Sequence, residues 1–377
     1  MLNEKRLLNE FLELVQIDSE SGDERAIADV LKAKLADLGG DVFEDDSAVI
    51  TGHTAGNLIC NFKGTVEGVD AILFNCHMDT VKPGKGVKPS IKDGYVVTDG
   101  TTVLGADDKA GIAAVLEAIR MLKEQNISHG DIQVLFTAGE ESALAGARAL
   151  DPSLLKANFG YALDTGGKVG SINNSAPARG MITAEVFGEK AHAGVAPEKG
   201  VSAIALAAHA VAKMPLGRID EETTANVGTF VGDGALNVVT DYVKLVAEAR
   251  SVDNAKFDAQ MNKMKAALEE TAKEFGGRVE IEMRTAYPGF NLSESEPVVE
   301  IAKRAAAKAG LEFGIFAGGG GSDANVINGH GVPTIALACG YEEIHTTNER
   351  MPIEELNKLV EMTVAVITEV ALKSESH

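Results

Sequence analysis

Basic residues, cysteines and long apolar runs are all scarce in this chain of 377 residues. It has 35 Lys plus Arg against 56 Asp plus Glu, which gives a formal net charge of −21. Nucleic acids and anionic membranes are bound through basic surfaces, so this balance argues against both as partners. No apolar run approaches the roughly 18 residues that a membrane span needs, and the N-terminal residues indicate an amphipathic helix rather than a signal peptide.

Cysteine is represented by Cys60, Cys76 and Cys339, which do not have the spacing of a metal site and provide no disulfide framework. Disulfides persist in oxidising compartments, whereas free thiols are typical of the cytosol. The cysteine content therefore predicts a cytoplasmic protein with free thiols.

The composition is that of a folded protein, with 45% hydrophobic and 24% charged residues. The length predicts two domains, or one large α/β domain with an insertion. Continuous apolar runs at 71–76, 132–138 and 159–163 are typical of strands that are buried on both faces. Helical patterns separate them, among them 109–125, so the sheet is expected to be mainly parallel with helices on both faces.

The middle of the chain has a different pattern, with the order β-α-β-β-α-β from about residue 179 to 287. This order is that of the ferredoxin-like split unit. The predicted fold class is therefore α/β, with a doubly wound, mainly parallel-sheet domain (residues 1–177 and 289–377) and an inserted ferredoxin-like α+β domain (residues 178–288).

Histidines and acids cluster where the predicted strands end. In open α/β sheets, ligands bind beyond the carboxyl ends of the strands. Five segments place such side chains there: His77 with Asp79, Asp107 with Asp108, Glu140 with Glu141, Asp164, and His345.

Each of these segments also has a purely structural interpretation. His77 and Asp79 face the same side of an extended chain and could form a structural hydrogen bond. Asp108 could cap the helix at 109–125, which follows a short strand-like segment at 101–104. Glu140 and Glu141 could stabilise a helix dipole. Five such coincidences in one sheet are less plausible than one shared site. Two histidines with several carboxylates suit Zn²⁺, and Mn²⁺ or Co²⁺ could substitute for it. These side chains are numerous enough to bind a pair of ions.

The ordered set of these motifs resembles the di-zinc peptidase family of peptidase T, glutamate carboxypeptidase and aminoacylase. The stretches GTTVLGADDKAGIA and GEKAHAGVAPEKGVSAI resemble its peptidase T branch. The resemblance covers nearly the whole chain and implies a zinc-dependent exopeptidase that cleaves short peptides by means of a metal-bridged water. The larger domain would then be the catalytic domain, and the inserted one a lid through which the chain forms a homodimer.

The resemblance also implies a role for each motif residue. His77 and Asp164 would bind one zinc, Glu141 and His345 the other, and Asp107 would bridge the two. The family has a cis peptide bond after this aspartate, here between Asp107 and Asp108. Glu140 would be the general base, and Asp79 would orient His77. His192 would contact the oxyanion in the site of the partner subunit. Asn237 and Arg250 would contact the substrate.

One segment departs from the family pattern. Tripeptidases of the peptidase T type have an arginine before the glycine-rich turn, whereas this chain has Phe316-Ala317 before Gly318–Gly321. The missing arginine leaves the substrate open, so that a dipeptide, another short peptide or an N-acyl amino acid all remain candidates. The alternatives to an exopeptidase are therefore an N-acyl-amino-acid amidohydrolase, or a binding protein that kept the fold without catalysis.

Overall fold

The computed structural model describes residues 1–374. Its helices are α1 (Glu4–Val15), α2 (Arg25–Asp37), α3 (Ser47–Thr51), α4 (Ala106–Glu124), α5 (Ala145–Ala149), α6 (Ala203–Lys213), α7 (Asn254–Phe275), α8 (Pro297–Lys308), α9 (Asp323–Gly329) and α10 (Ile353–Ser374). Its strands are β1 (Asp41–Glu44), β2 (Leu58–Phe62), β3 (Ile72–His77), β4 (Ser90–Lys92), β5 (Tyr95–Val97), β6 (Ile132–Thr137), β7 (Phe159–Thr165), β8 (Ser171–Ala176), β9 (Ala178–Phe187), β10 (Gly217–Arg218), β11 (Thr223–Val231), β12 (Tyr242–Ser251), β13 (Arg278–Tyr287), β14 (Phe290–Asn291), β15 (Gly314–Ala317), β16 (Thr334–Ala338) and β17 (Arg350–Pro352).

The chain divides into two compact units. The larger unit comprises Met1–Ser175, Leu292–Gly318 and the residues from Ser322 onward, and the smaller one comprises Ala176–Asn291 with Gly319–Gly321. The smaller unit begins two residues before the predicted insertion and ends three residues after it. Whether these units act as a catalytic domain and a lid is a question of function, and that assignment stays a prediction.

The larger unit is built on a mainly parallel sheet with the strand order β1-β2-β6-β3-β7-β16-β8, and β15 pairs with β8. Neighbours from β6 to β16 are parallel, whereas β1, β2 and β8 join antiparallel. Both β3 and β6 are buried along their whole length, as their continuous apolar runs predict. The predicted α/β class with a large, mainly parallel sheet is therefore confirmed.

Helix α4 is central to the core of this unit. It packs against β3 and β7 on one side and against α1 and α10 on another. Its apolar stripe includes Ile112, Val115 and Leu116, all fully buried, and the alanines between them are buried as well. This helix carries Asp107 in its first turn, so core packing fixes that aspartate beside the carboxyl ends of the strands.

The smaller unit contains an antiparallel sheet with the order β10-β11-β12-β9-β13. Helices α6 and α7 connect its strands in the β-α-β-β-α-β order, apart from the two-residue β10, and pack against β9 and β12. Along β9 the buried residues alternate strictly with partly buried ones, as a sheet with one covered face requires. The ferredoxin-like pattern predicted from the sequence is thus present.

Two further sequence features can be compared with the structure. The three cysteines are free and buried. Among residues 1–374, no helix combines the length and the apolarity needed to span a bilayer. The predicted strand-like segment at 101–104 is wrong, because these residues form an irregular connection before α4.

Candidate metal centre

The carboxyl ends of β3, β6, β7 and β16 meet at one edge of the large sheet because these strands run parallel. His77 is the last residue of β3, and Asp164 lies near the end of β7. Glu140 follows the end of β6 within a few residues, and His345 lies in the loop after β16. The topology therefore collects side chains that are far apart in the sequence.

His77 is buried and points towards two carboxylates. Its Nδ1–H donates to the carbonyl oxygen of Asp79 at 2.9 Å. Because a carbonyl can only accept, the neutral ring then presents its Nε2 lone pair on the other side. That nitrogen lies 2.9 Å from Asp107 Oδ1 and 3.7 Å from Asp164 Oδ1. A lone pair facing two carboxylates needs a proton or a cation between them.

His345 repeats this arrangement on the other side of Asp107. Its Nε2 lies 2.6 Å from Glu141 Oε1 and 3.2 Å from Asp107 Oδ2. The ring is about half exposed, with 47% of its side chain accessible, whereas that of Glu141 is 12% accessible. The second group of side chains is therefore the more open of the two.

Asp107 is shared by the two groups through different oxygens. Oδ1 faces His77, and Oδ2 faces His345. The ligand-type atoms of His77, Asp107 and Asp164 lie within 4.8 Å of one another, as do those of Asp107, Glu141 and His345. One carboxylate between two histidine-containing groups is the donor set that a pair of divalent cations requires. The residues present thus fit two metal ions.

The electrostatics of the cluster indicate an excess of negative charge. Burial lowers the pKa of His77, but the carboxylates of Asp164 and Asp107 outweigh it and raise that pKa well above its usual value. Hydrogen bonds with Asp107 and Glu141 raise the pKa of His345 to about 10. Burial raises the pKa of Asp164 to about 7. These raised pKa values mean that the cluster favours bound positive charge, which metal cations could supply in place of protons.

Glu140 lies at the same edge, and among residues 1–374 no side chain forms a hydrogen bond with its carboxylate. One of its carboxylate oxygens lies within 4.8 Å of ligand-type atoms of His77 and Glu141. Burial, and then the charge of Asp164, raises the pKa of Glu140 well above its usual value. A carboxyl group with a raised pKa is suited to receiving and returning a proton.

Asp79 connects strand β3, which ends at His77, with the loop after β6 that carries Glu140 and Glu141 (the glutamate loop). Its Oδ1 accepts from the backbone N–H of Glu140 at 2.9 Å, and its Oδ2 accepts from that of Glu141 at 3.2 Å. The Ser21 hydroxyl also donates to Oδ2, at 2.5 Å. Asp79 Oδ1 lies 3.4 Å from His77 Nδ1. The aspartate thus lies beside the imidazole and at the same time fixes the following loop.

Asp108 does not cap helix α4. Asp107 and Asp108 have non-helical backbone angles at a kink in the first turn of α4, and the Asp108 carboxylate accepts from the backbone N–H of His77 at 3.2 Å rather than from an N–H of the helix. The peptide bond between Asp107 and Asp108 is cis, as the family resemblance implies. The capping interpretation of this segment is therefore wrong, and Asp108 supports the end of β3.

Two buried carboxylates at the site, Glu349 and Asp323, do not stand out in the sequence. Glu349 accepts from three backbone N–H groups near Asp107. Asp323 is 1% exposed, accepts from the hydroxyl of Thr137, and has a pKa that burial raises to about 6. Asp323 follows the glycine-rich turn, and Glu349 follows His345 by four residues, so proximity to an already suspected motif was the one signal available.

His53 and Glu24 support the glutamate loop from behind. His53 Nδ1 lies 3.0 Å from Glu24 Oε1, and its ring packs against Gly139. A Cβ on Gly139 would lie 2.2 Å from the His53 ring, and Gly139 itself has a φ of +68°, in the left-handed region. Glycine is therefore required where the chain turns towards Glu140.

In the smaller unit, His192 and Asn237 belong to two segments that pair with each other. The backbone N–H of Ala193 donates to the carbonyl of Asn237 at 2.9 Å. His192 is exposed, and its Nδ1 accepts from the N–H of Gly194 at 3.2 Å. With Nδ1 as the acceptor, the neutral ring carries its proton on Nε2 and offers a donor to the surroundings.

Arg250 is partly engaged by other groups of the smaller unit. Its Nε donates to Glu248 Oε1 at 3.0 Å, and its Nη1 donates to the carbonyl of Gly319 at 3.3 Å. Arg179 donates from Nε to the other oxygen of Glu248 at 2.9 Å. Arg179 thus places a second arginine beside Arg250, a feature that the sequence did not reveal.

Comparison with known proteins gives a consistent picture. The YqjE protein of Bacillus subtilis (strain 168) is 61% identical over 371 residues, which cover 98% of this chain and 100% of that protein. The structure of aminopeptidase PepT from Bacillus cereus ATCC 10987 is similar with a TM-score of 0.95 at 59% identity, covering 98% of this chain and 99% of the other. A tripeptidase from Staphylococcus aureus has a TM-score of 0.92 at 49% identity, covering 99% and 100%.

A family profile extends over most of the sequence and includes all five proposed metal ligands. It describes Peptidase family M20/M25/M40 and matches residues 73–369. The motif order, the fold and the similar proteins agree with this match. The chain therefore belongs to Peptidase family M20/M25/M40.

Proposed function

We propose that the protein is an exopeptidase that hydrolyses the amide bond of short peptides with the help of two zinc ions. The observation that carries this proposal is Asp107, whose two oxygens face two separate histidine-containing groups. Mn²⁺ or Co²⁺ could replace zinc, since the donors are imidazole and carboxylate alone. The similar structures of an aminopeptidase and a tripeptidase support peptides as the substrates.

The proposed ligands divide into two sets that share one residue. His77 and Asp164 would hold one ion, Glu141 and His345 the other, and Asp107 would bridge them. When bound, such ions polarise the scissile carbonyl and lower the pKa of water. Asp79 would orient His77, because its backbone carbonyl holds Nδ1–H and leaves Nε2 for the metal.

Glu140 is proposed as the general base. Its carboxylate would take a proton from the attacking water and later deliver it to the leaving amine. Asp79 fixes the Glu140 backbone at 2.9 Å, so the base stays at the edge of the sheet where the ligands converge. The proton transfer therefore needs no large movement of the chain.

The smaller unit is proposed to act as a lid that contacts the substrate. Exposed His192 offers its Nε2–H as a donor to the oxyanion that forms at the carbonyl. Asn237, on the segment paired with that of His192, would contact the substrate beside it. Arg250 would bind the substrate's C-terminal carboxylate through the donors that Glu248 and Gly319 leave available.

An N-acyl-amino-acid amidohydrolase is the second candidate. The observation in its favour is the segment before the turn at Gly318–Gly321. This segment has no arginine where tripeptidases have one, so the case for strict tripeptide specificity is weaker. Such a substrate also has a free carboxylate for Arg250, but no peptide amino terminus. A binding protein without catalysis would need the metal ligands but not Glu140.

A substrate panel tests the proposal. We expect the zinc-loaded protein to cleave di- and tripeptides faster than N-acetyl amino acids, and to cleave C-terminally amidated peptides poorly, because Arg250 would lose its carboxylate. Product release is followed by mass spectrometry with zinc, manganese and cobalt. Preferential hydrolysis of N-acetyl amino acids would favour the amidohydrolase. No hydrolysis of any substrate would favour the binding protein.

We further propose a cytoplasmic homodimer formed through the smaller unit, in which His192 completes the site of the other subunit. Mixing inactive Glu140→Gln protein with inactive His192→Ala protein should then restore part of the activity, since a mixed dimer contains one site with both residues. Activity is measured after subunit exchange under mild denaturant. Mixtures that stay inactive although exchange is demonstrated by mass would contradict sharing of the site.

A further inference from the structure

Glu349 is a buried carboxylate at the end of an exposed loop. The loop is closed by Glu342 and Arg350, whose backbones exchange hydrogen bonds of 2.9 and 3.0 Å. Between them, His345 is exposed, whereas Glu349 is 2% exposed. A buried charge needs strong partners, so its surroundings define what this residue does.

Three backbone N–H groups surround the Glu349 carboxylate. Oε2 accepts from Leu104 at 2.7 Å and from Gly105 at 2.8 Å, and Oε1 accepts from Asp107 at 3.1 Å. Gly105 has a φ of +77°, in the left-handed region, and this turn lets nearby N–H groups converge on one anion. The Glu349 carboxyl group thus binds backbone N–H groups on both sides of the start of α4.

These contacts join the two segments that carry His345 and Asp107, which are both proposed ligands of the same ion. His345 Nε2 and Asp107 Oδ2 lie 3.2 Å apart. The loop is also held by Thr98, whose hydroxyl donates to the Thr347 carbonyl at 3.3 Å, and His345 itself has a φ of +62°. The first ion's ligands, by contrast, include His77 and Asp164, which are held by paired strands of the sheet. Loosening the Glu349 contact should therefore disturb one metal position more than the other.

We propose that Glu349 is a positioning residue that sets the affinity of the metal position formed by Asp107, Glu141 and His345, without contacting the ion. This inference rests on the proposed function in one respect, namely that the chain binds two ions. It adds a residue outside the ligand set that controls how firmly one of these ions is held.

The test is metal binding by the Glu349→Ala protein. After removal of all metal, zinc and cobalt are titrated back in equilibrium dialysis, and bound metal is counted by mass spectrometry. We expect one of the two ions to bind about 10- to 100-fold more weakly than in the unchanged protein, as is typical when a residue supporting a ligand is lost. The affinity of the other ion should fall less, because Asp107 is the one proposed ligand of that ion whose backbone Glu349 binds. Excess metal should restore kcat with KM for the peptide unchanged.

Two further variants serve as controls. Glu343→Gln removes an exposed charge from the same loop and should leave both affinities unchanged. Glu349→Gln retains one acceptor oxygen but places an amide N–H group against a backbone N–H, so its effect should lie between those of the native residue and alanine. If the alanine variant does not fold, the affinities of the glutamine variant decide the matter.

Equal weakening of both ions would overturn the proposal, because it would indicate a general loss of structure. Unchanged affinities in both Glu349 variants would overturn it as well. Failure of the proposed function would give a different result. The native protein would bind two ions, and the Glu349→Ala protein would bind one of them more weakly, but neither protein would cleave a peptide.

Discussion

The Glu140→Gln protein is expected to bind two metal ions and to hydrolyse no peptide at a measurable rate. Glutamine keeps the size of the side chain but cannot accept a proton at neutral pH. General acid–base catalysis contributes roughly 10²- to 10⁴-fold, so kcat should fall at least by about that factor. The raised pKa of Glu140, caused first by burial and then by the charge of Asp164, supports this role.

Metal content distinguishes a base from a ligand at this position. Because Glu140 lies within 4.8 Å of ligand-type atoms of His77 and Glu141, the geometry alone also permits it to hold an ion. We expect two ions per chain in both the native and the variant protein, measured by plasma mass spectrometry. Glu67→Gln, in an exposed loop, is the matched control. Loss of an ion in Glu140→Gln would make the residue a ligand, and retained turnover would exclude it as the base.

Asp107→Asn is expected to remove at least one ion and nearly all activity. The native carboxylate offers Oδ1 to the His77 group and Oδ2 to the His345 group. Asparagine retains one oxygen and replaces the other with an amide that can donate but cannot bind a cation. Changes around a ligand already cost about 10- to 100-fold in metal affinity, and loss of a ligand atom should exceed that.

The site most affected should be the His345 group, because it is the more exposed of the two. Isothermal titration of metal-free protein with zinc measures both affinities, and peptide turnover is followed at each zinc concentration. Asp37→Asn, at the exposed end of α2, is the control and should behave as the native protein. Two ions of native affinity in Asp107→Asn would refute the bridging role.

Much of this arrangement could be predicted because parallel strands impose a simple rule. Fully apolar runs mark the buried strands, and their carboxyl ends meet at one edge, so polar residues just after them are brought together. His77, Glu141, Asp164 and His345 were found in this way, and the structure places their ligand-type atoms in compact groups. The resemblance to a known family then supplied their individual roles, which stay predictions.

The rest depends on contacts that no local pattern encodes. Glu349 and Leu104 are far apart in the sequence, yet the backbone N–H of Leu104 donates to the Glu349 carboxylate at 2.7 Å. The sequence around either residue does not predict this contact. The helical pattern that follows Asp108 leaves a helix cap open as one interpretation, yet this side chain binds the His77 backbone. Segment 101–104 has strand-like residues but forms no strand, since local propensity does not decide pairing.

The position of β16 has a consequence for how the protein is made. This strand pairs with both β7 and β8, although the whole smaller unit is synthesised between β8 and β16. Until the ribosome has released residues 334–338, β7 and β8 lack the neighbour that separates them, and an unpaired strand edge is prone to aggregate. Pairing over such a distance is slow. A nascent chain that ends before residue 334 carries every proposed ligand but His345 and still lacks β16, so metal loading is expected to follow translation rather than guide it.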